Sequence, residues 1–572
     1  MLIYFLIVKM KDFFKKHRLI VSLAVNLILM LYFLAFFYCA FETDDDYSMK
    51  MIAMGAYGSP DAHLVFINPI IGYLLSFLYR IIPGLAWYEG FQYLMIFLSL
   101  STITYVLSDR ENDLLQISLM SIFLFLAGRF FYSALQFTKT ACILAVAGYL
   151  LLAWSLEKDR KAGIIFSLVL ILLSPLFRVR QFYLVSLPCV CLFMPLILSF
   201  IKDRQNKNLQ KKVLKLLICG LVCFVLMNVN RYIGRLSYQE SAWKAFKAYN
   251  STRAALLDRG EIDYRNDALL YQDLGLSQTD LEMLYDLWDF DDPDIFTSEM
   301  MEEILERQTT VKKGVLDGFK ELVFETIAFF FENKEGVAFT LFFLGLFILQ
   351  LEAEKDLDEW ITFILCVLLT LFCIVFSYIF RNFAYLGRVH LSILFSGITI
   401  LLYKRKNTFG SMRLVPAVLA VLIIMISCSF IYFDEFRINS SKRIRDELKI
   451  SALKQIRQDN THLYLRTTDE GLDYVSGLFL GDDSYNVENL CSLGGWLVNM
   501  PLNEELKQRY NVRNPFKDIV NNDDVYLIIS DEEKLQLIIK YINIHYDDKA
   551  KAEVVSKIEA NKDYTIYRVV SE

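Results

Sequence analysis

The sequence predicts a mainly α fold: a polytopic α-helical membrane domain of about eleven spans, followed by a small extracytoplasmic α/β domain. Three observations carry this. Hydrophobic residues make up 55% of the 572 and charged residues only 22%, with a mean hydropathy of +0.37, which is too apolar for several soluble domains. Long apolar runs recur between residues 19 and 433, and basic residues gather in alternate turns between them. Beyond residue 434 the pattern changes to short β-like runs around one helical stretch. A net charge of −6 argues against a nucleic-acid binder. Nine of the ten cysteines lie in apolar runs, Cys491 being the exception, so neither a disulfide framework nor a Cys/His zinc spacing is present.

The first element is the run Leu19–Phe41, preceded by Lys9, Lys11, Lys15, Lys16 and Arg18. It is too long for a signal-peptide core and reads as an uncleaved span with a cytoplasmic N-terminus. Further runs sit near 63–82, 90–107, 114–131, 136–154, 164–177, 182–200, 214–229, 337–351, 360–380, 389–403 and 414–433. If all of them crossed, the segments 155–163 and 201–215, with nine basic residues, would face out, and the turn at Arg178 and Arg180, with two, would face in. The positive-inside rule rejects that arrangement. The weakest run is His63–Ile82, interrupted by Asn68-Pro69 and closed by Arg80 and Pro83. It falls short of the ~20 residues a span needs, and is read as a helix in the outer interface. The transmembrane domain is then 1–433, with a first outer loop at 42–89 and a large helical outer loop at 230–335. The tail 434–572 opens with the amphipathic stretch Asp434–Gln458. Strand-like runs follow at Leu463–Arg466, Val525–Ser530 and Thr565–Val570, with a helix at Glu532–Tyr546.

The first outer loop opens Glu42-Thr43-Asp44-Asp45-Asp46-Tyr47. Carboxylates crowded beside an apolar boundary repel one another and lose solvation, so at least one should be shifted toward the range of a general base. A solvated acidic turn is the plainer reading of the same residues. Asp61, just before His63, is a second outer carboxylate that the interfacial helix could hold nearby. Arg129, Lys139, Arg178, Arg180, Arg381 and Arg388 fall at outer span ends. Cations at membrane depth cost ~2–3 kcal/mol or more unless they snorkel or meet anions. Together these groups describe an outer pocket at membrane level, suited to a lipid-linked phosphate.

These features are similar to those of the GT-C superfamily, polytopic glycosyltransferases that use polyprenyl-phosphate sugars, such as protein O-mannosyltransferases and the aminoarabinose and bacteriophage-type glucosyltransferases. The resemblance rests on Asp44-Asp45-Asp46-Tyr47, on Pro60-Asp61-Ala62-His63-Leu64-Val65-Phe66-Ile67-Asn68-Pro69 leading into Leu78-Tyr79-Arg80, and on Trp87-Tyr88. A second large loop after the seventh span is also similar. It implies that a first-loop carboxylate, Asp45 or Asp46 with Asp44 third, acts as base or orients the acceptor, with Asp61, His63 and Tyr47 supporting the acceptor or the loop. The chain departs from the family in having three aspartates where some branches have Asp-Glu, a single Asn68-Pro69 where several have Pro-Pro, and no acid in Gln136-Phe137-Thr138-Lys139. No Trp-Trp-Asp motif is present, which argues against Asn-linked transfer. The metal requirement stays open, a divalent cation at the first-loop carboxylates being one option.

The expected reaction moves a sugar from a polyprenyl phosphate to a cell-envelope glycan or lipid-linked acceptor, with inversion, at the outer face of the plasma membrane. Asp45 or Asp46 would take the acceptor proton, and Arg178, Arg180, Arg381 or Arg388 would stabilise the departing phosphate. Two rival readings are a transporter or flippase for a lipid-linked glycan and a non-catalytic envelope scaffold. Asymmetric placement of the large loops disfavours the first.

Overall fold

The computed structural model describes residues 16–109, 114–257, 264–308, 334–351, 355–380, 386–405, 441–468, 471–479 except 473, 488–559 and 563–571, with the single positions 320, 324 and 353. Among these residues, eight helices are long and apolar enough to cross a membrane: Arg18–Phe36, Trp87–Leu107, Leu115–Ser133, Phe137–Glu157, Lys161–Leu192, Lys207–Ser237, Lys334–Leu351 and Leu357–Ile379. A further helix, Gly387–Lys404, packs among them with its middle buried. The apolar run 414–433 and Arg381 lie outside the described residues.

Phe137–Glu157 occupies the centre of the bundle, nearly all of it buried, whereas Lys207–Ser237 is almost wholly exposed along its apolar length. A helix that is apolar all round and uncovered needs an apolar solvent. Lys161–Leu192 combines the run expected at 164–177 with most of that expected at 182–200, whose end forms the separate helix Met194–Lys202. Its backbone becomes extended at Arg178 (φ −156°, ψ 104°), three residues after Pro175 withdraws a backbone donor. The chain doubles back there. Near the break, Ser174 donates to the Ala141 carbonyl and Leu176 accepts from the Asn68 backbone N–H. Beyond it, the Leu192 carbonyl accepts from Lys404, and Pro195 lies beside Glu157.

The helix ends therefore sort into two groups. One gathers Arg18 with Asp109, Lys202 with Asp358, and Tyr403 with Glu157. The other gathers Asp45, Arg178 and Arg388. The run at 63–82 forms the short helix Pro69–Ile81, capped by the Asn68 side chain and started by Pro69. Thirteen residues give only ~20 Å of helix, short of a ~30 Å hydrocarbon core. Gly72 lets this helix lie against the Ala62 carbonyl, 1.9 Å from where a Cβ would sit. Tyr73, Phe77 and Ile81 remain exposed.

One strand pair and one isolated bridge tie the loops to the tail. β1 (Ala40–Phe41) runs parallel to β2 (Ala134–Leu135), and the tail joins them where Phe41 N–H donates to the Ser476 carbonyl and Leu478 N–H to that of Cys39. In the tail, β3 (Leu463–Arg466), β4 (Leu490–Ser492), β5 (Val525–Ile529), β6 (Ala550–Glu559) and β7 (Asp563–Ser571) form one sheet in the order β4-β3-β5-β7-β6. β3 is parallel to both neighbours and buried along its length, as a strand covered on both faces must be. The stretch expected at 434–458 is helical over 441–458, and 434–440 lies outside the described residues. This α/β unit shares its core with the long loop: Tyr249, Tyr271, Leu284, Phe290 and Met301 pack with Leu465, Ile538 and Tyr541. Lys507 donates to both oxygens of Asp291 at 2.8 Å, with both side chains fully buried.

Candidate active site

The helix Asp44–Met54 begins with its three aspartates in the first turn, where the helix dipole favours negative charge. Successive side chains turn by about 100°, so the three point to different places. Asp46 points inward and is fully buried. Its Oδ1 accepts from the Tyr88 hydroxyl (2.8 Å), Gln92 Nε2 (3.1 Å) and the Phe137 backbone N–H (3.2 Å). Thr140 donates to the Gln92 carbonyl oxygen (2.7 Å), which turns the Gln92 amide nitrogen toward Asp46. Four residues on and on the same face, Lys50 pairs with Glu89 at 2.7 Å, both buried. Asp46 and Lys50 thus pin the loop helix to Trp87–Leu107. Burial drives the Asp46 carboxyl up to about 8, against the Gln92 and Tyr88 bonds. Asp44 is exposed.

Asp45 faces a cavity of about 300 Å³. Arg178, Arg180 and Gln181 from the reversal line it, with Phe137 and Thr138 from the central helix and Arg388 and His390 from Gly387–Lys404. Burial and the neighbouring Asp44 raise the Asp45 carboxyl to about 6, while Arg388 and Arg178 pull it down. At neutral pH it is an ionised carboxylate with unusual basicity for an aspartate. Arg178 is fixed over the rings of Phe66 (5.6 Å) and Phe137 (5.3 Å), which themselves stack at 6.1 Å.

Two expected cations are engaged elsewhere. Lys139 pairs with Glu42 at 2.5 Å and donates to the Phe130 and Ala134 carbonyls, closing the junction of β1 and β2. Arg129 pairs with Glu335 at 3.0 Å. Neither lines the cavity, because a lysine on the first turn of a buried helix meets the nearest backbone carbonyls before it meets solvent. Asp61 and His63 also lie apart. His63 donates through Nδ1 to Asp61 (2.7 Å) and through Nε2 to the Ser237 carbonyl (2.8 Å), and stacks on Trp243 at 4.2 Å. Against the effect of burial, these bonds hold Asp61 below the usual carboxylate range and His63 above the usual imidazole range. The pair braces the first loop against the end of Lys207–Ser237. Tyr47 is buried edge-on to Phe41 and Tyr474 and joins the same loop to the tail.

Asp44, Asp45 and Asp46 diverge, so they do not suit a divalent cation as a set. Among the described residues no group of three His, Cys, Asp or Glu side chains converges on one point. Sequence reasoning takes His390, beside Arg388, as at most a polar contact, and it missed Gln181 in the cavity wall and Glu89 beneath the loop helix. Glu89, an acid at the start of an apolar run, carried a usable signal. Comparison with protein families, curated proteins and solved structures found no match to this chain. Its class rests on the bundle and on the carboxylate–arginine cavity at one end of it.

Proposed function

We propose that this protein is a GT-C-type glycosyltransferase of the plasma membrane, moving a sugar from a polyprenyl phosphate to an envelope glycan or lipid-linked acceptor. The observation that carries the reading is the single cavity in which Asp45 faces Arg178, Arg180 and Arg388. Asp45 accepts the proton of an acceptor hydroxyl as that oxygen attacks the anomeric carbon. The bond from that carbon to the phosphate oxygen breaks, and the phosphate leaves with the electron pair. Guanidinium groups match a phosphate in charge and in bidentate geometry, and act where charge grows. General-base help of this kind is worth ~10²–10⁴-fold. Asp46, with Oδ1 consumed by three donors, serves to hold the loop.

The chain then crosses the bilayer eleven times, with a cytoplasmic N-terminus and the α/β unit outside. Support comes from Lys404 lying at the basic end of the bundle while Asp446 bonds Tyr38 and Ser476 at the other end. The test supplies purified protein with a labelled polyprenyl-phosphate hexose and mixed envelope acceptors. Asp45→Asn should lose at least about 10²-fold in transfer, and transfer equal to wild type would end the assignment. A reporter fused after Glu572 should read extracytoplasmic, and a cytoplasmic signal would undo the topology.

A further inference from the structure

Gln181 follows the reversal at Arg178 and lines the same cavity as Asp45, yet it is only 1% exposed. Phe182 beside it stacks on Tyr149 of the central helix at 6.1 Å, which fixes this arm of the reversal. Leu184, one turn further on, shares the cavity wall with Gln181. Among the described residues no acceptor meets Gln181 Nε2. Buried polar atoms are nearly always paired, and an amide shut away from water without a partner costs free energy that an apolar side chain in the same place would avoid. A group that enters the cavity and accepts a hydrogen bond would complete it.

The character of that group follows from how the cavity is graded. Arg180 is exposed, and Arg178 and Arg388 are half-buried, whereas Gln181, Thr138 and Ser377 are buried. Ser377 Oγ donates to the Ile374 carbonyl (2.9 Å) and keeps its lone pairs as acceptors. The cations therefore stand nearer the open side, with a neutral donor and a neutral acceptor deeper in the wall. A phosphate calls for the guanidinium groups. A sugar hydroxyl, which both donates and accepts, is matched by the neutral amide and hydroxyl below them.

We propose that Gln181 is a specificity-determining residue, its side-chain nitrogen donating to a hydroxyl of the sugar carried by the polyprenyl phosphate. A site with a buried donor built for a hydroxyl discriminates against a ligand that lacks one, because the donor is then left unpaired. The arginines hold what every polyprenyl phosphate has in common, and Gln181 reads what the sugar adds.

This assignment rests on reading the cavity as a site for a polyprenyl-phosphate sugar, and its test measures binding without turnover. Purified full-length protein is titrated with a polyprenyl-phosphate hexose and, separately, with the sugar-free polyprenyl phosphate, no acceptor being present. The rise in melting temperature gives an affinity for each. Wild type should prefer the hexose-bearing lipid. Gln181→Met is close in length and lacks the donor. It should bind the hexose-bearing lipid about three- to tenfold more weakly and the sugar-free lipid within about twofold of wild type. Without ligand it should melt at or above wild type, because no bond inside the protein is lost. Gln181→Glu keeps the shape, replaces the donor by an acceptor, and should lose the preference as well, which separates the missing donor from a packing effect of the thioether. A wild type that binds the two lipids alike, a preference unchanged in both variants, equal weakening of both lipids, or a ligand-free Gln181→Met that melts lower or does not fold would overturn the proposal. A preference that depends on Gln181 in a protein that transfers no sugar to mixed envelope acceptors would instead remove the transferase reading and leave the contact standing.

Discussion

Asp45 and Asp46 are neighbours with opposite duties, and their chemistry follows from what each side chain touches. Asp45 keeps its proton up to about pH 6 in the folded chain, against 3.8 for an ordinary aspartate. In the proposed role as base it must be ionised, so transfer should fall as pH drops through 6, which a rate profile measures. The sign for stability is opposite. The native form binds the proton more tightly than the unfolded chain, so this contribution is fully present below pH 3.8 and is lost as pH rises through 6. Ionised Asp45 then costs the fold at most about 3 kcal/mol. Asp45→Asn should therefore melt higher than wild type at pH 8, an advantage that fades by about pH 4; a lower melting temperature at pH 8 would contradict the cavity's electrostatics. Asp46→Asn retains an acceptor oxygen and should change stability by no more than about 1–2 kcal/mol. Asp46→Ala strands the Tyr88 hydroxyl, the Gln92 amide and the Phe137 N–H, and should cost about 3 kcal/mol or more in thermal unfolding.

At the scale of elements, the loop helix Asp44–Met54 and the short helix Pro69–Ile81 act as one clamp at the end of the bundle that carries Asp45. Its tightest point is Gly72 against Ala62. Gly72→Ala would push the helix Pro69–Ile81 away from the first loop, costing about 1–3 kcal/mol and exposing the 61–72 segment to protease; unchanged proteolysis would show that the approach is not needed. The reversal at Arg178 shows what an apolar plot leaves undecided. The runs 164–177 and 182–200 were legible, and so was the charged interruption between them. That the two arms close tightly enough to present Arg178 and Arg180 to Asp45 depends on the central helix, where Ser174 meets Ala141. Lys139 and Arg129 taught the converse. Their position at helix ends was readable, but their partners Glu42 and Glu335 lie 97 and 206 residues away in sequence, beyond any local pattern.

For the whole molecule, the long loop and the tail share one core, and the acidic run 286–294 is its internal fastening. Asp291 meets Lys507, and Asp292 accepts from Tyr541 (2.7 Å), Tyr546 (2.5 Å) and Asn514 (2.9 Å). Lys507→Met leaves a buried carboxylate unpaired and should cost about 3–5 kcal/mol. It should also open 286–294 to limited proteolysis, whereas a Lys507→Met protein as resistant as wild type would mean that the pair does not hold the loop. Read as sequence, this is only an acidic run, five aspartates among Leu287, Trp288, Phe290 and Pro293 with no visible partner. Only the fold supplies the tyrosines and the lysine that take them out of water.

Composition and period alone determined the helical bundle, the alternation of its basic turns, the short helix Pro69–Ile81, and the strands that have strong apolar runs. These properties are set by each segment's own transfer energy and periodicity, which do not depend on what packs against it. Tertiary structure decided which aspartate faces a cavity, which arginines share that cavity, and that Trp496 of the tail meets Phe66 of the first loop. Those are contacts between residues hundreds of positions apart, and their energies arise from burial and from partners that exist only once the chain has folded.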